Sequence, residues 1–166
     1  MLLSGHMVSV IVDRTGDIQF IKTTIDVLKD FKVDHELQIL SAHRTPGKLI
    51  EYAQQARMKG IKVIIAASGG AAHLAGVIAA NTVIPVIGVP IPTAHLNGMD
   101  SLLSTIQMPT GVPVATVGIG DSGAKNAALL AIEMLAISDR GLEKKLETFR
   151  SVLEEKVLRD NKELGR

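Results

Sequence analysis

Two histidines lie in short polar turns, each of which follows a predicted strand and leads into a predicted helix. His43 belongs to the run SAHRTP at residues 41–46, and His73 belongs to the run SGGAAHL at residues 68–74. Open parallel α/β sheets build their ligand crevices at the carboxyl ends of strands, so we expect each turn to contribute to such a crevice. Histidine exchanges protons near neutral pH and arginine binds anions, so a neighbouring pair suits proton transfer on an anionic ligand.

The first turn has the composition of a phosphate site. Ser41, His43 and Arg44 combine a hydroxyl, an amide-rich turn and a guanidinium group. The alternative is a surface loop with a capping role, because the Thr-Pro pair that follows is typical of a helix start. For His73 the alternatives are a buried structural histidine and a second proton carrier or substrate orienter. The two glycines before it suit a backbone that lies against a planar ligand.

The segment after the first predicted strand, residues 13–17, lies where a phosphate or ribose is expected in such a sheet. Asp17 can accept hydrogen bonds from ribose hydroxyls. Its alternative role is to cap the following helix, and the two roles are compatible. The sequence contains no Ser–His–Asp order, zinc-ligand spacing, Walker loop or GxGxxG motif.

Composition narrows the class of protein. The 166 residues suit one domain, and with three Phe, one Tyr and no Trp the core must be aliphatic. A net charge of +1 without a basic stripe argues against nucleic-acid binding, and the absence of Cys excludes thiolate chemistry. No apolar run reaches the ~18 residues that span a bilayer, so no membrane partner is expected. The high apolar content favours buried subunit contacts, and we expect an oligomer.

Hydrophobic periodicity predicts strands that alternate with helices, which indicates a parallel sheet with right-handed crossovers. The predicted strands are 8–12, 34–40, 62–67, 85–89 and 112–117. The predicted helices are 17–31, 46–60, 73–80, 100–108, 124–137 and 140–164. We expect a single domain over 1–166 with a core over 7–137. The last helix is too polar for the core, and we interpret it as an arm that packs on the core or on another subunit. The run SGHM at 4–7 is typical of a cloning remnant, which would make residues 1–6 non-native.

The chain resembles the bacterial class I 5-(carboxyamino)imidazole ribonucleotide mutases of purine biosynthesis, from about residue 8 to residue 137. Besides the two histidine turns, the resemblance is carried by LNGMDSLLS at 96–104, QMPTGVPVATV at 107–117 and NAALLA at 126–131. It implies a flavodoxin-like three-layer α/β/α sandwich with a central parallel sheet. It also implies a cytoplasmic homo-octamer with sites at subunit boundaries and an imidazole ribonucleotide substrate. It implies neither a metal nor an organic cofactor.

The resemblance further implies a reaction and roles for individual residues. A carboxylate moves from the exocyclic amine to a ring carbon, through decarboxylation and recapture of carbon dioxide in a closed pocket. His43 matches the general acid/base, and His73 matches a histidine that orients the carboxylate. Ser41 and Arg44 match phosphate ligands, and Asp17 matches the ribose ligand. The other substrate-binding residues that we predict are Arg14, Ser68, Gly69, Gly70, Ala71 and Leu74.

The loop after the first strand departs from the family pattern, which usually reads Met-Gly-Ser-x-Ser-Asp where this chain has VDRTGD at 12–17. Asp13 brings a carboxylate toward the expected phosphate. At ~5 Å and an effective dielectric of ~20, the repulsion is about 3 kcal/mol, or roughly a hundredfold in affinity. Arg14 can offset it by pairing with Asp13 or by taking the phosphate itself. A smaller departure is Ala75, where the family usually has proline.

Three hypotheses about function remain open at this point. The first is an active mutase with a remodelled phosphate loop, which the two intact histidine turns favour. The second is a paralogue that acts on another carboxylated small molecule, or a direct aminoimidazole ribonucleotide carboxylase. The third is a non-catalytic homologue that serves as an assembly or ligand sensor.

Overall fold

The computed structural model describes residues 7–165, so the predicted cloning remnant at 1–6 lies outside the described residues. Within that range five parallel strands form one sheet in the order β2-β1-β3-β4-β5. The strands are β1 Val8–Val12, β2 His35–Ile39, β3 Val63–Ser68, β4 Val86–Pro90 and β5 Ala115–Thr116. This is the 2-1-3-4-5 order of flavodoxin-like sheets, and it confirms the predicted fold class.

In the described range, four α-helices lie between consecutive strands of the chain, and two more follow β5. They are α1 Lys22–Asp30, α2 Pro46–Gln55, α3 Leu74–Ala79, α4 Met99–Ile106, α5 Asp121–Ala136 and α6 Arg140–Leu164. Every residue of β1 and β3 is buried, which requires packed layers on both faces of the sheet. On one face, α2 and α3 pack against β1, β3 and β4 through an aliphatic cluster that includes Leu49, Ile64 and Ile78. Burial of such side chains supplies the main driving force for the fold.

Three predicted elements differ clearly from the structure, and one of them is the helix predicted over 46–60, which ends at Gln55 and is followed by turns. Instead of one helix over 17–31, a 3-10 helix over Thr15–Ile21 precedes α1. Asp17 lies inside that 3-10 helix, and its side chain does not cap a helix. The last strand is two residues long instead of spanning 112–117. Pro113 has no N–H to give to a sheet ladder, which helps to confine the pairing to the residues that follow it.

The chain forms two compact units, of which the first ends at Ala131 and the second begins at Ile132. The first unit contains the whole sheet. In the second, the Asp139 carboxylate caps α6 by accepting hydrogen bonds from the N–H groups of Gly141 and Leu142. The single-domain assignment and the packing of the C-terminal helix remain predictions. No helix in the described range is both long and apolar enough to cross a membrane.

A buried hydrogen-bond chain joins α2 to two strands. The hydroxyls of Ser9 on β1 and Tyr52 on α2 lie 2.6 Å apart, and Tyr52 donates to the Glu36 carboxylate on β2. Burial raises the pKa of the Tyr52 hydroxyl well above its ordinary value, and the bond to the carboxylate raises it further. Because α2 begins directly after the His43 turn, this chain helps to fix the turn against the sheet.

Replacing Tyr52 by Phe is expected to change how stability depends on alkaline pH. The folded protein keeps the Tyr52 proton to a higher pH than the unfolded chain, which releases it near pH ~10. The free energy of unfolding therefore includes the full contribution of the protonated Tyr52 hydroxyl below about pH 10. This contribution is lost as the pH rises further. Urea unfolding of Tyr52→Phe should show a shallower loss of stability above about pH 10 than the wild type. Parallel pH profiles for the two proteins would contradict this role of the Tyr52 hydroxyl, which is the titrating group that the substitution removes.

Candidate active site

The predicted crevice is a cavity of about 430 Å³ at the carboxyl ends of the strands. Its lining comes from the segments that follow β1, β2, β3 and β4, as expected for a doubly wound sheet. The lining residues are Asp13, Arg14, Asp17, Ser41, His43, Arg44, Gly69, Gly70 and Thr93. The sheet therefore brings together three loops that are far apart in the sequence. The residue types of each loop had predicted a binding or catalytic role for that loop by itself.

His43 lines this cavity, and it forms a hydrogen-bonded pair with His73, which is not itself a lining residue. His43 Nε2 and His73 Nδ1 are 2.8 Å apart, and the ring centroids are 4.8 Å apart. One nitrogen must donate and the other accept, so the two imidazoles share one proton along this line. Both side chains are exposed in the single chain. The pair can therefore hold a proton and pass it to or from a ligand in the cavity.

The His43 turn is braced by its own side chains. Thr45 Oγ1 accepts a hydrogen bond of 2.9 Å from the Ser41 N–H. Ser41 Oγ in turn accepts from the Arg44 N–H at 3.2 Å and from Arg44 Nε at 3.3 Å. Ser41 is buried, so the turn has a fixed base from which His43 and Arg44 reach the cavity. The turn thus holds its own backbone in place and presents two functional groups, although the Thr45 side chain does not cap α2.

Two ion pairs line the cavity, and their partners differ from one of the sequence predictions. Arg44 Nη2 donates to the Asp13 carboxylate at 2.5 Å and to the Asp13 carbonyl oxygen at 2.9 Å. Arg14 Nε donates to Asp17 Oδ1 at 2.9 Å, and this bond raises the pKa of the Arg14 guanidinium. Of the two ways in which Arg14 can offset Asp13, the structure pairs Arg14 with Asp17 instead of Asp13, and contact with the phosphate stays a prediction. The 3-10 turn brings Asp17, three residues along the chain, next to Arg14 instead.

Hydroxyls of α4 hold the glycine turn after β3. The Gly70 N–H donates to Ser101 Oγ at 2.9 Å, and Ser101 donates to the Ile91 carbonyl at 2.7 Å. Ser104 Oγ lies 3.2 Å from the Gly70 carbonyl oxygen. Gly70 has a φ of 72°, a region that glycine adopts without strain. Sequence reasoning missed both serines, although their i, i+3 spacing puts them on one helix face.

Thr93 is a lining residue that sequence reasoning missed. Its hydroxyl donates to Asp100 Oδ1 at 2.7 Å and accepts from the Gly98 N–H at 3.2 Å. The segment containing Thr93 follows β4, the direct neighbour of β3 in the sheet. The rule that ligands bind beyond the carboxyl ends of adjacent strands could have identified it.

Some predicted binding residues lie beside the cavity instead of lining it. Ser68 is buried at the end of β3, and Ala71 is exposed in the turn that follows. Leu74 is 1% exposed and packs in the aliphatic cluster together with Ala75, so its side chain supports the turn from below. Contacts of Ser68, Ala71 and Leu74 with a substrate stay predictions. Residues 7–165 contain no group of three or more His, Cys, Asp or Glu side chains placed to hold a metal ion.

Removal of the Ser101 hydroxyl is expected to loosen the glycine turn. Ser101→Ala leaves the Gly70 N–H and the Ile91 carbonyl without their partner in a buried setting, which costs about 1–3 kcal/mol. Amide hydrogen exchange at Gly70 should accelerate by about tenfold or more, since local opening becomes easier. Ser104→Ala is the matched control, because its contact is longer and it leaves the Ser101 bonds intact. Equal protection of Gly70 in the wild type and Ser101→Ala would contradict this role.

A flavodoxin-like sheet that presents paired imidazoles, two guanidinium groups and a glycine turn at its carboxyl edge is typical of an enzyme acting on an anionic small molecule. Comparison with known proteins agrees. Residues 7–156 match the family model described as AIR carboxylase, and the chain belongs to that family.

Individual relatives extend the match over most of the chain. The chain is 57% identical over 143 residues to the N5-carboxyaminoimidazole ribonucleotide mutase of Pyrococcus abyssi, covering 86% of this chain and 81% of that protein. It is 50% identical over 158 residues to the mutase of the same name from Bacillus subtilis, covering 95% and 98%. The crystal structure of Treponema denticola PurE shares the fold, with a TM-score of 0.87 at 24% identity over 96% of this chain and 98% of that one.

Proposed function

We propose that this protein is an N5-carboxyaminoimidazole ribonucleotide mutase, which forms the 4-carboxy-5-aminoimidazole isomer in purine biosynthesis. The observation that carries the proposal is the His43–His73 pair, held at 2.8 Å beside a cavity that also contains two guanidinium groups. The reaction requires a group that gives and takes protons next to an anionic nucleotide, and this arrangement supplies both. The high identity to proteins that bear this name supports the same substrate.

One imidazole pair can carry out both proton transfers of the reaction. In its protonated form, His43 donates a proton to the exocyclic nitrogen as the N–carboxylate bond breaks, which releases carbon dioxide and the free amine. The ring carbon then forms a bond to carbon dioxide and carries a surplus proton. His43, now neutral, removes that proton and restores the aromatic ring. One proton is given and one recovered, so the reaction needs no external acid or base. The bond to His73 positions the ring for both transfers.

The lining residues suit the three parts of the nucleotide. The phosphate lies against the Arg44 guanidinium and Ser41, and the exposed Arg14 lies beside them. Asp17 lies in the same lining, and one of its carboxylate oxygens remains to accept from ribose hydroxyls once Oδ1 has taken the Arg14 bond. The imidazole ring lies against the backbone of the Gly69–Gly70 turn, which α4 holds in place.

A covered site is needed if carbon dioxide is to be trapped. Both histidines are exposed in the single chain, so a wall must come from elsewhere. We assign this wall to a neighbouring subunit in a cytoplasmic homo-octamer. Helix α6 supports assembly, since it exposes apolar side chains that a partner can bury: Val152, Leu153, Val157 and Leu158. Sedimentation velocity tests the octamer, and a monomer at micromolar concentration would exclude it.

The activity is tested by following absorbance as purified protein acts on the carboxyamino nucleotide. The parallel reaction contains aminoimidazole ribonucleotide and bicarbonate. Conversion of the first substrate alone supports the mutase. Direct carboxylation is the second candidate, which the family description favours, and it predicts product only in the parallel reaction. A folded oligomer that is inactive in both reactions would support a non-catalytic homologue or a different substrate.

A further inference from the structure

The Arg44 guanidinium, to which we assign the phosphate, is already paired with the Asp13 carboxylate. Arg44 Nη2 lies 2.5 Å from Asp13 Oδ2, while Arg44 Nε is bonded to Ser41. Both Asp13 and Arg44 line the cavity. A phosphate that enters the cavity therefore meets an Arg44 guanidinium that is already paired with Asp13. The Asp13 carboxylate also repels the phosphate at short range.

The two ion pairs of the cavity differ in how easily their carboxylates can leave. The Asp17 side chain is 2% exposed, so it stays next to Arg14. The Asp13 side chain is 21% exposed and belongs to a loop, and its partner Arg44 is 60% exposed. Pairs that are open to solvent are weak, so a dianionic phosphate can displace the Asp13 carboxylate at modest cost. Arg14 then lies ready as a second cation, because only its Nε atom is hydrogen-bonded among the described residues.

We propose that Asp13 is a specificity-determining residue that competes with the ligand's phosphate for Arg44. The carboxylate keeps the guanidinium oriented toward the cavity when no ligand is bound, and it lowers the affinity of the site for phosphorylated ligands. A ligand without phosphate has no reason to displace it, so its affinity does not depend on Asp13. The proposal rests on the proposed function only for the identity of the nucleotide. The competition itself concerns any phosphate.

The test compares Asp13→Asn with the wild type, using inorganic phosphate as the probe. Isothermal titration calorimetry at low salt should show phosphate binding about tenfold tighter in Asp13→Asn, because the competitor has lost its charge. Asp26→Asn removes the same charge from an exposed position on α1 and is the matched control, with unchanged phosphate affinity expected. The KM for the nucleotide should fall by a similar factor in Asp13→Asn, while binding of the unphosphorylated aminoimidazole nucleoside stays the same.

Two results would overturn the proposal. Phosphate affinity in Asp13→Asn that equals or falls below that of the wild type would mean that Asp13 orients Arg44 without competing. Tighter binding in both Asp13→Asn and Asp26→Asn would mean a general effect of net charge. Should Asp13→Asn fail to fold, Asp13→Ser serves the same purpose. The phosphate titration stands even if the protein does not convert the carboxyamino nucleotide, so a failure of the proposed function and a failure of this proposal are separable.

Discussion

Replacing His43 by Asn is expected to lower turnover of the carboxyamino nucleotide by about 10²–10⁴-fold, the range that positioned general acids and bases supply. Asn cannot carry the proton that leaves the ring carbon, although it can keep a hydrogen bond to His73. The substrate phosphate is bound by other groups, so KM should change by less than about threefold. Steady-state kinetics measured by absorbance would check both values.

His95→Asn provides the matched control for the His43 variant. His95 is exposed in the loop before α4 and does not line the cavity, so its variant should retain the wild-type turnover. His73→Asn should lie between the two, because it removes the partner of the proton carrier and leaves the carrier itself. Turnover of His43→Asn within tenfold of the wild type would remove His43 from the role assigned to it.

Replacing Arg44 by Met is expected to raise KM by about a hundredfold, equivalent to about 3 kcal/mol of binding free energy. The variant loses charge-assisted bonds to the phosphate, and it leaves Asp13 unpaired beside that phosphate. The unpaired carboxylate makes the loss larger than removal of the cation alone.

A double variant separates the loss of the Arg44 cation from the repulsion by the unpaired Asp13 carboxylate. Asp13→Asn combined with Arg44→Met should recover part of the lost affinity, since the repulsive carboxylate is gone. Arg57→Met, at an exposed position after α2, is the matched control and should leave KM unchanged. An unaltered KM in Arg44→Met would show that the phosphate lies elsewhere in the cavity.

Much of the fold could be predicted because its sheet is buried on both faces. The apolar run of β1 matches the structure at both ends, and β3 is shifted by one residue. Parallel strands place their carboxyl ends at one edge, so two histidines 30 residues apart were expected in the same region. Their direct hydrogen bond was not predictable, because it depends on side-chain conformation at the ends of two separate turns.

The missed features of the site all depend on contacts between distant segments or on local backbone geometry. Ser101 reaches Gly70 across 31 residues, and its place in the family motif at 96–104 does not reveal this contact. Arg14 pairs with Asp17, and Asp13 pairs with Arg44, because residues 15–21 form a 3-10 helix. Hydrophobic spacing alone does not distinguish a 3-10 helix from an α-helix. The pairing of Arg14 with Asp13 that sequence adjacency suggested gives way to a pair with Asp17, while both guanidinium groups line the cavity.

The most direct test of the account follows the carboxylate itself. Carboxyamino nucleotide labelled with ¹³C in its carboxylate is converted by the protein in unlabelled bicarbonate, and the product is analysed by mass spectrometry. The product is expected to keep the label, since carbon dioxide stays in the covered cavity between release and recapture. Product that has exchanged its label with the solution would contradict a mutase and would indicate a carboxylase that draws on free carbon dioxide.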